Sequence, residues 1–129
     1  MPLLRFDLIE GRSAVELQTL LDAAHRAMLA AFKVPERDRY QIVTEHKREH
    51  MIIEDTGLGI ARSDKVVFLQ VTSRPRGREA KEAFYKLLAA ELETSCGLAP
   101  SDLVVSIVEN SDEDWSFGLG RAQFLTREL

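Results

Sequence analysis

The second residue of the chain, in the opening stretch "MPLLRF", is a proline that begins a strand-like segment. Proline is tolerated at the first position of a strand, where its missing N–H costs little. Removal of Met1 would give Pro2 a second meaning, because it would then carry a free secondary amine. Such an amine is a nucleophile and a base that no internal residue supplies. Pro2 is therefore the first candidate catalytic residue.

A basic turn in the second half of the chain, "TSRPRGR", offers a candidate anion site. Arg74 and Arg76 flank Pro75, which fixes its own φ and biases Arg74 toward an extended conformation. Two guanidinium groups ahead of a helix N-terminus suit a carboxylate or a phosphate. The same residues are also compatible with a solvated basic turn that binds no ligand.

One carboxylate is a candidate partner for these groups. Asp38, in "PERDRYQ", precedes a predicted strand. Aspartate in that position commonly caps a bend, which is one interpretation of Asp38. The other is catalytic, with the carboxylate orienting a water molecule or the Pro2 amine.

The end of the chain, "DWSFGLGRAQFLTREL", is rich in large apolar side chains. Trp115, Phe117, Phe124 and Leu129 recur across it. A segment of this kind packs on its own domain or on a neighbouring subunit. Alternatively, it forms an apolar wall over a small pocket and excludes water from it.

Composition limits the classes of partner. A net charge of −4 offers no basic face for nucleic acid. No apolar run approaches the roughly 20 residues needed to span a bilayer, and no secretory signal is recognisable, so we expect a cytoplasmic protein without a membrane partner. Cys96 is the single cysteine, which excludes an internal disulfide and fits a reducing compartment. "HKREH" matches an inverted zinc motif but follows a strand in a polar connection, so we expect no metal.

An internal repeat indicates how these residues are arranged. When the chain is shifted by 64 positions, the pattern recurs, with Arg12 on Arg76 and Asp38 on Asp102. Each half, about 2–64 and 66–129, reads as a strand, a long amphipathic helix, a short turn and a strand. Such units are right-handed parallel βαβ units. We therefore predict a single α/β (α+β) domain over 1–129, in which two tandem βαβ units form a four-stranded mixed sheet with both helices on one face.

A pseudo-twofold axis between the two units would bring the candidate residues together. The first strands of the two units would then be antiparallel neighbours, and the start of one would lie beside the end of the other. Pro2 would come close to "TSRPRGR". The strand "VVFLQV" is apolar on both faces, while the helices cover only one. We therefore expect the open face to pack against another subunit.

The N-terminal proline, the internal duplication and "SRPR" together resemble the tautomerase superfamily. Within it, "LLRFDLIEGR", "DRYQ", "EDTGLG" and "VENSDEDWSFGLGRAQFLT" are similar to the malonate semialdehyde decarboxylases. The resemblance implies a homotrimer without metal or organic cofactor. It implies that Pro2, Asp38, Arg74 and Arg76 are catalytic, and that the two arginines also bind the substrate. The aromatic and leucine side chains named above, Trp115, Phe117, Phe124 and Leu129, would line the apolar wall.

The implied reaction is decarboxylation of a small β-keto acid, malonate semialdehyde, to acetaldehyde and carbon dioxide. Two other functions are compatible with the same residues. One is a keto–enol tautomerase, or a hydratase of small unsaturated acids, that uses the same N-terminal proline. The other is a non-enzymatic trimeric interaction protein in which Pro2 only begins a strand.

Overall fold

A four-stranded sheet and two helices account for most of the chain. The computed structural model describes all 129 residues. Along the chain the elements are β1 (Leu3–Ile9), α1 (Ala14–Phe32), β2 (Tyr40–His46), β3 (Val67–Ser73), α2 (Arg78–Cys96) and β4 (Leu103–Glu109). The strand order in the sheet is β2-β1-β3-β4. The prediction of two βαβ units in one mixed sheet is confirmed.

The register of the two central strands confirms the predicted twofold relation. β1 and β2 are parallel, as are β3 and β4, whereas β1 and β3 are antiparallel. In the central pair, Leu3 lies opposite Thr72 and Leu8 lies opposite Val67. The start of β1 therefore lies beside the end of β3, which is where the basic turn begins.

Local signals in the sequence set the ends of the helices. Ser13 caps α1, and Glu16 completes a capping box with it, because each side chain accepts a hydrogen bond from the other residue's backbone N–H. α2 ends at Cys96 and is followed by Gly97 in the left-handed conformation. Cys96 is exposed rather than packed against the core. Neither helix has the length and the hydropathy that a membrane span requires.

The core lies between the sheet and the two helices. Alternate strand residues point into it, including Leu4, Phe6, Leu69 and Val71, which are all fully buried. The opposite face of the sheet has no covering element in the chain. Apolar residues remain on that face, and Ile42 is 41% exposed.

The repeat is slightly less regular than a single constant shift predicts. β3 and α2 start where the predicted shift from β1 and α1 places them, but β4 starts one position earlier than the same shift from β2 predicts. The helix-to-strand connection of the second unit is therefore shorter by one position. Asp38 stands two positions before β2, while Asp102 immediately precedes β4 and belongs to a 3-10 turn, Pro100–Asp102. The two aspartates are thus not strictly equivalent.

Candidate active site

A cavity of about 690 Å³ opens where β1 starts and β3 ends. Three segments contribute to it: the chain start with the turn after α1, the basic turn after β3, and the C-terminal tail. Its lining residues are Met1, Lys33, Val34, Pro35, Arg37, Asp38, Tyr40, Arg74, Arg76, Phe117, Gln123, Phe124, Glu128 and Leu129. The fold therefore brings most of the predicted site residues to one place.

The N-terminal amine and Asp38 form the polar centre of this cavity. Met1 and Pro2 are both buried, and the amine of Met1 donates a hydrogen bond to the Asp38 carboxylate. With Met1 in place, the nitrogen of Pro2 is an amide one position further along the chain. Burial lowers the pKa of the N-terminal amine; Asp38 opposes this shift, and Arg76 and Arg74 add to it.

Arg76 is held in a way that leaves part of its guanidinium group available. Its Nε donates to the Ser73 hydroxyl at 2.8 Å, and its backbone N–H donates to the Glu109 carboxylate at 3.1 Å. The two terminal nitrogens have no hydrogen-bond partner in the chain. Burial, and secondarily Arg74, lowers the pKa of Arg76 from its ordinary value. These features suit the binding of an anion from the cavity.

Arg74 is fixed by an aromatic ring and by one carboxylate. Its guanidinium carbon lies 3.9 Å from the centroid of the Phe124 ring, which is a cation–π contact. Its Nη1 donates to Asp112 at 2.9 Å, while its Nε is buried without a partner. The tail therefore positions Arg74 at the cavity wall.

Aromatic residues of the tail form the predicted apolar wall in two layers. Phe117 and Phe124 line the cavity and meet edge to face, with ring centroids 5.4 Å apart. Trp115 does not line the cavity; it stacks behind Phe117, with centroids also 5.4 Å apart, and its Nε1 donates to Asn110 at 2.7 Å. Leu129 lines the cavity edge and is 70% exposed.

The tail is held in this position by its own polar contacts. The Gln123 side chain accepts from the backbone N–H of Phe117 at 2.9 Å and donates to the carbonyl of Gly118 at 2.9 Å. Arg121 forms an ion pair with Glu128 at 3.0 Å. Gln123 was not among the predicted site residues, since a lone glutamine in a tail has no characteristic spacing.

The turn after α1 contributes more of the cavity than the predicted Asp38 alone. Lys33, Val34, Pro35 and Arg37 all line the cavity beside Asp38. A signal was present, because these residues lie immediately before Asp38 in the same short connection. Their places in the cavity depend on the path of that turn, which composition does not determine.

The histidines of "HKREH" have local structural partners. His46, the last residue of β2, hydrogen-bonds through Nε2 to Asp7 at 2.6 Å across the sheet. His50 lies in the following 3-10 turn, Arg48–His50, and is exposed. No group of three or more His, Cys, Asp or Glu side chains is arranged to hold a metal ion.

Comparisons with known proteins agree with this architecture. Two family profiles, both described as "Tautomerase enzyme", match residues 38–118 and 2–61. A protein of Bacillus subtilis (strain 168) named as a probable tautomerase, YrdN, is 62% identical over 129 residues and is covered fully, as is this chain. A crystal structure of malonate semialdehyde decarboxylase, described with decarboxylase and hydratase activities, is 57% identical, with a TM-score of 0.97 and 98% of each chain covered. FG41 malonate semialdehyde decarboxylase inhibited by 3-bromopropiolate is 40% identical, with a TM-score of 0.94 and 98% and 97% of the two chains covered.

Proposed function

The chain belongs to the tautomerase superfamily of enzymes, and we propose that it decarboxylates a small β-keto acid, with malonate semialdehyde as the substrate. The observation that carries the proposal is the meeting of the Met1 amine, Asp38, Arg74 and Arg76 at one cavity with an aromatic wall. Two solved structures of high identity are malonate semialdehyde decarboxylases. Loss of Met1 is part of the proposal, because only then is the Pro2 nitrogen an amine.

The two arginines would bind the substrate carboxylate. Arg76 offers its two terminal nitrogens, and Arg74 is held against Phe124 beside it. Together they orient the bond to the carboxylate carbon perpendicular to the plane of the carbonyl group. That orientation lets the electron pair of the breaking bond enter the carbonyl π system.

Pro2 would supply the electron sink. As the carbon–carbon bond breaks, its electron pair forms the enolate of acetaldehyde, and carbon dioxide leaves. A cationic Pro2 stabilises the enolate oxygen by donating a hydrogen bond to it. Alternatively, Pro2 condenses with the aldehyde to an iminium with loss of water, accepts the pair as an enamine and is later hydrolysed. In both routes a proton adds to the carbon that lost the carboxylate.

The charge balance at the amine decides between related reactions. For the amine of Met1, Asp38 favours the cationic form, whereas burial and the two arginines favour the neutral form. We expect the same charges to act on the Pro2 amine once Met1 is removed, and decarboxylation requires its cationic form. The aromatic wall supports decarboxylation in a second way. A dry site favours the loss of a carboxylate charge, because the product carries none.

A Pro2→Ala variant tests the proposal in an assay that couples acetaldehyde to a reporter enzyme. We expect a loss of about 100-fold or more in kcat/KM, because the secondary amine is gone. Mass measurement of the purified protein must first show that Met1 is absent. Pro100→Ala is the matched control, since Pro100 lies in a 3-10 turn outside the cavity, and it should keep full activity. Full activity of Pro2→Ala would end the proposal.

A second candidate is keto–enol tautomerisation, or hydration of a small unsaturated acid, at the same site. The observation that favours tautomerisation is that burial lowers the pKa of the Met1 amine at this position; a Pro2 amine shifted in the same direction after loss of Met1 would be a neutral base. This candidate predicts faster turnover of phenylpyruvate or 2-oxo-3-pentynoate than of malonate semialdehyde. The pH dependence also separates the two: tautomerisation by a neutral base rises with pH through the pKa of the amine, whereas decarboxylation by the cation falls.

The expected homotrimer is part of the proposal. The sheet face opposite the helices is uncovered in the chain and carries apolar residues, among them Ile42 and Val108, which are 41% and 46% exposed. Packing of that face against two further copies would remove these side chains from water. Sedimentation equilibrium of the purified protein measures the number of subunits directly.

A further inference from the structure

His25 is a buried histidine that the reaction described above does not use. It lies on α1, is only 6% exposed, and does not line the cavity. Its Nε2 is 2.8 Å from the backbone carbonyl oxygen of Glu36. A carbonyl oxygen only accepts, so Nε2 must be the donor. Nδ1 is buried without a partner, and the bond to Glu36 is therefore the side chain's single hydrogen bond.

The residue that His25 holds lies in the turn that leads to Asp38. The backbone N–H of Asp38 donates to the carbonyl of Pro35 at 2.9 Å and closes a four-residue turn from Pro35 to Asp38. The Glu36 carbonyl belongs to the central peptide of this turn. A flip of that peptide converts a type I turn into a type II turn, in which the next residue needs a positive φ. Arg37 does not have a positive φ, so the unflipped form is present.

The residues that follow Asp38 are also fixed to α1. Arg39 donates to Asp22 at 2.7 Å, and Gln41 donates to the carbonyl of Leu21 at 2.8 Å. The Asp38 carboxylate itself has one partner, the N-terminal amine. Its position therefore depends on the backbone on either side, and on the earlier side the side-chain contact is that of His25.

The second βαβ unit has no such contact. The residue that the internal repeat pairs with His25 is Ala89, which cannot donate a hydrogen bond from its side chain. There the carboxylate of Asp102 is fixed directly, because it accepts from both the backbone N–H and the hydroxyl of Ser63 at 2.7 and 2.6 Å. Both oxygens of the Asp102 carboxylate are held by Ser63, so its position needs no further residue. The Asp38 carboxylate faces the cavity, so its position depends on how the backbone around it is held.

We propose that His25 is a positioning residue, which holds the Glu36 carbonyl and so fixes the turn that presents the Asp38 carboxylate to the N-terminal amine. The effect on turnover rests on the proposed function, whereas the effect on the amine requires only that Met1 is removed and that the Pro2 amine then faces Asp38. Loss of the hydrogen bond should let the central peptide of the turn move and carry Asp38 away from the amine.

Three substitutions separate this role from a packing role. In His25→Gln the side-chain amide reaches the place of Nε2 and keeps a donor there, whereas in His25→Asn it ends one atom short. His25→Leu preserves the bulk and removes the donor. We expect the Asn and Leu variants to lose roughly tenfold in kcat/KM and the Gln variant to stay close to wild type. His50→Leu, the same change at an exposed site, is the control and should alter nothing.

The protonation of the amine gives a readout that is independent of the reaction. In protein labelled with ¹⁵N-proline, NMR titration follows the Pro2 amine after Met1 has been removed. Asn and Leu at position 25 should lower the pKa of the amine, because the carboxylate that raises it has moved. Gln should not. In an Asp38→Asn background, the substitutions at 25 should cause no further shift.

Several results would overturn the positioning role. One is an unchanged pKa of the amine in all three variants. Another is the same pKa and kcat/KM in the Asn and Gln variants. A third is a pKa shift at position 25 that adds fully to the shift caused by Asp38→Asn. Thermal unfolding of each variant separates loss of the fold from loss of the contact. If wild type fails to decarboxylate while the shifts of the amine pKa follow the expected order, the proposed function fails and the role of His25 stands.

Discussion

The two junctions between the central strands share a geometry but differ in what occupies them. At the first, β1 starts beside the end of β3, the chain begins, and a cavity remains. At the second, β3 starts beside the end of β1, and the incoming chain fills the space. There Ser63 bonds to Asp102, and the backbone carbonyl of Lys65 accepts from Arg12 at 2.6 Å.

The comparison shows how a duplicated unit yields one candidate site rather than two. Arg12 and Arg76 are paired by the internal repeat and follow corresponding ends of β1 and β3, and an aspartate precedes the last strand of each unit. In the second junction these groups are bound to the protein's own backbone. In the first, Met1, Asp38 and Arg76 line a cavity, so a carboxylate and a guanidinium group face open space. The same residue types are therefore bound to a loop at one junction and face a cavity at the other.

Replacing Arg76 and Arg12 in turn tests the difference between the two junctions most directly. Arg76→Ala should lower kcat/KM by about 100- to 1,000-fold, because it removes charge from the carboxylate-binding end of the site. Arg12→Ala should leave kcat/KM close to wild type and lower the free energy of unfolding by about 1 kcal/mol, because it loses one hydrogen bond to a carbonyl. The measurements are acetaldehyde production and chemical denaturation. A similar loss of turnover in both variants would contradict the division of roles.

The two aspartates offer a second pair with smaller effects. Asp38→Asn should lower kcat/KM by roughly 10- to 100-fold and lower the pKa of the N-terminal amine, because a charge that raises it is gone. For a reaction that needs the cationic amine, the fall in rate with rising pH should therefore move to lower pH. The pH–rate profile of the variant measures this directly. A shift to higher pH would contradict the placement of Asp38.

Asp102→Asn should act on the fold instead. One carboxylate oxygen of the buried Asp102 accepts from the Ser63 backbone and the other from its hydroxyl, whereas an amide has one acceptor oxygen and cannot accept both bonds. We expect the free energy of unfolding to fall by about 1–3 kcal/mol, with an unchanged pH–rate profile. Chemical denaturation and the same profile check both statements.

The fold could be predicted from the sequence because its signals are local and repeated. Each half of the repeat reads as a strand, a long amphipathic helix, a short turn and a strand, and a capping box at Ser13 and a glycine after α2 lie at two of the helix ends. The antiparallel contact of β1 and β3 followed from the repeat, and with it the approach of the chain start to Arg74 and Arg76. The shorter connection before β4 could not be predicted, because Asp38 and Asp102 match at the same shift of 64 positions that relates the other elements of the two units.

The missed contributions to the site are tertiary in origin. His25 acts on the carbonyl of Glu36, and a carbonyl has no residue type that a sequence pattern could reveal. Gln123 likewise holds the tail through backbone groups. The family resemblance implied that Trp115 lines the cavity wall, but its indole turns to Asn110 and supports Phe117 from behind. Residue type indicated which side chains lie near the candidate site, and tertiary packing determines which of them line the cavity.

The smallest effect should come from the aromatic ring that supports Arg74, a contact absent from the second junction. There the residue that the internal repeat pairs with Arg74 is Glu10, an exposed side chain.

Phe124→Leu removes the ring that lies 3.9 Å from the guanidinium carbon and leaves Arg74 with Asp112 alone. A cation–π contact at a partly exposed site contributes about 0.5–1 kcal/mol, so KM should rise by roughly two- to fivefold. The change should fall on KM more than on kcat, because in the proposed reaction Arg74 binds the carboxylate and does not stabilise the enolate. Phe124→Tyr keeps the ring and is the matched control, expected to retain the wild-type KM. An equal rise of KM in both variants would show that shape rather than the ring face matters at this position.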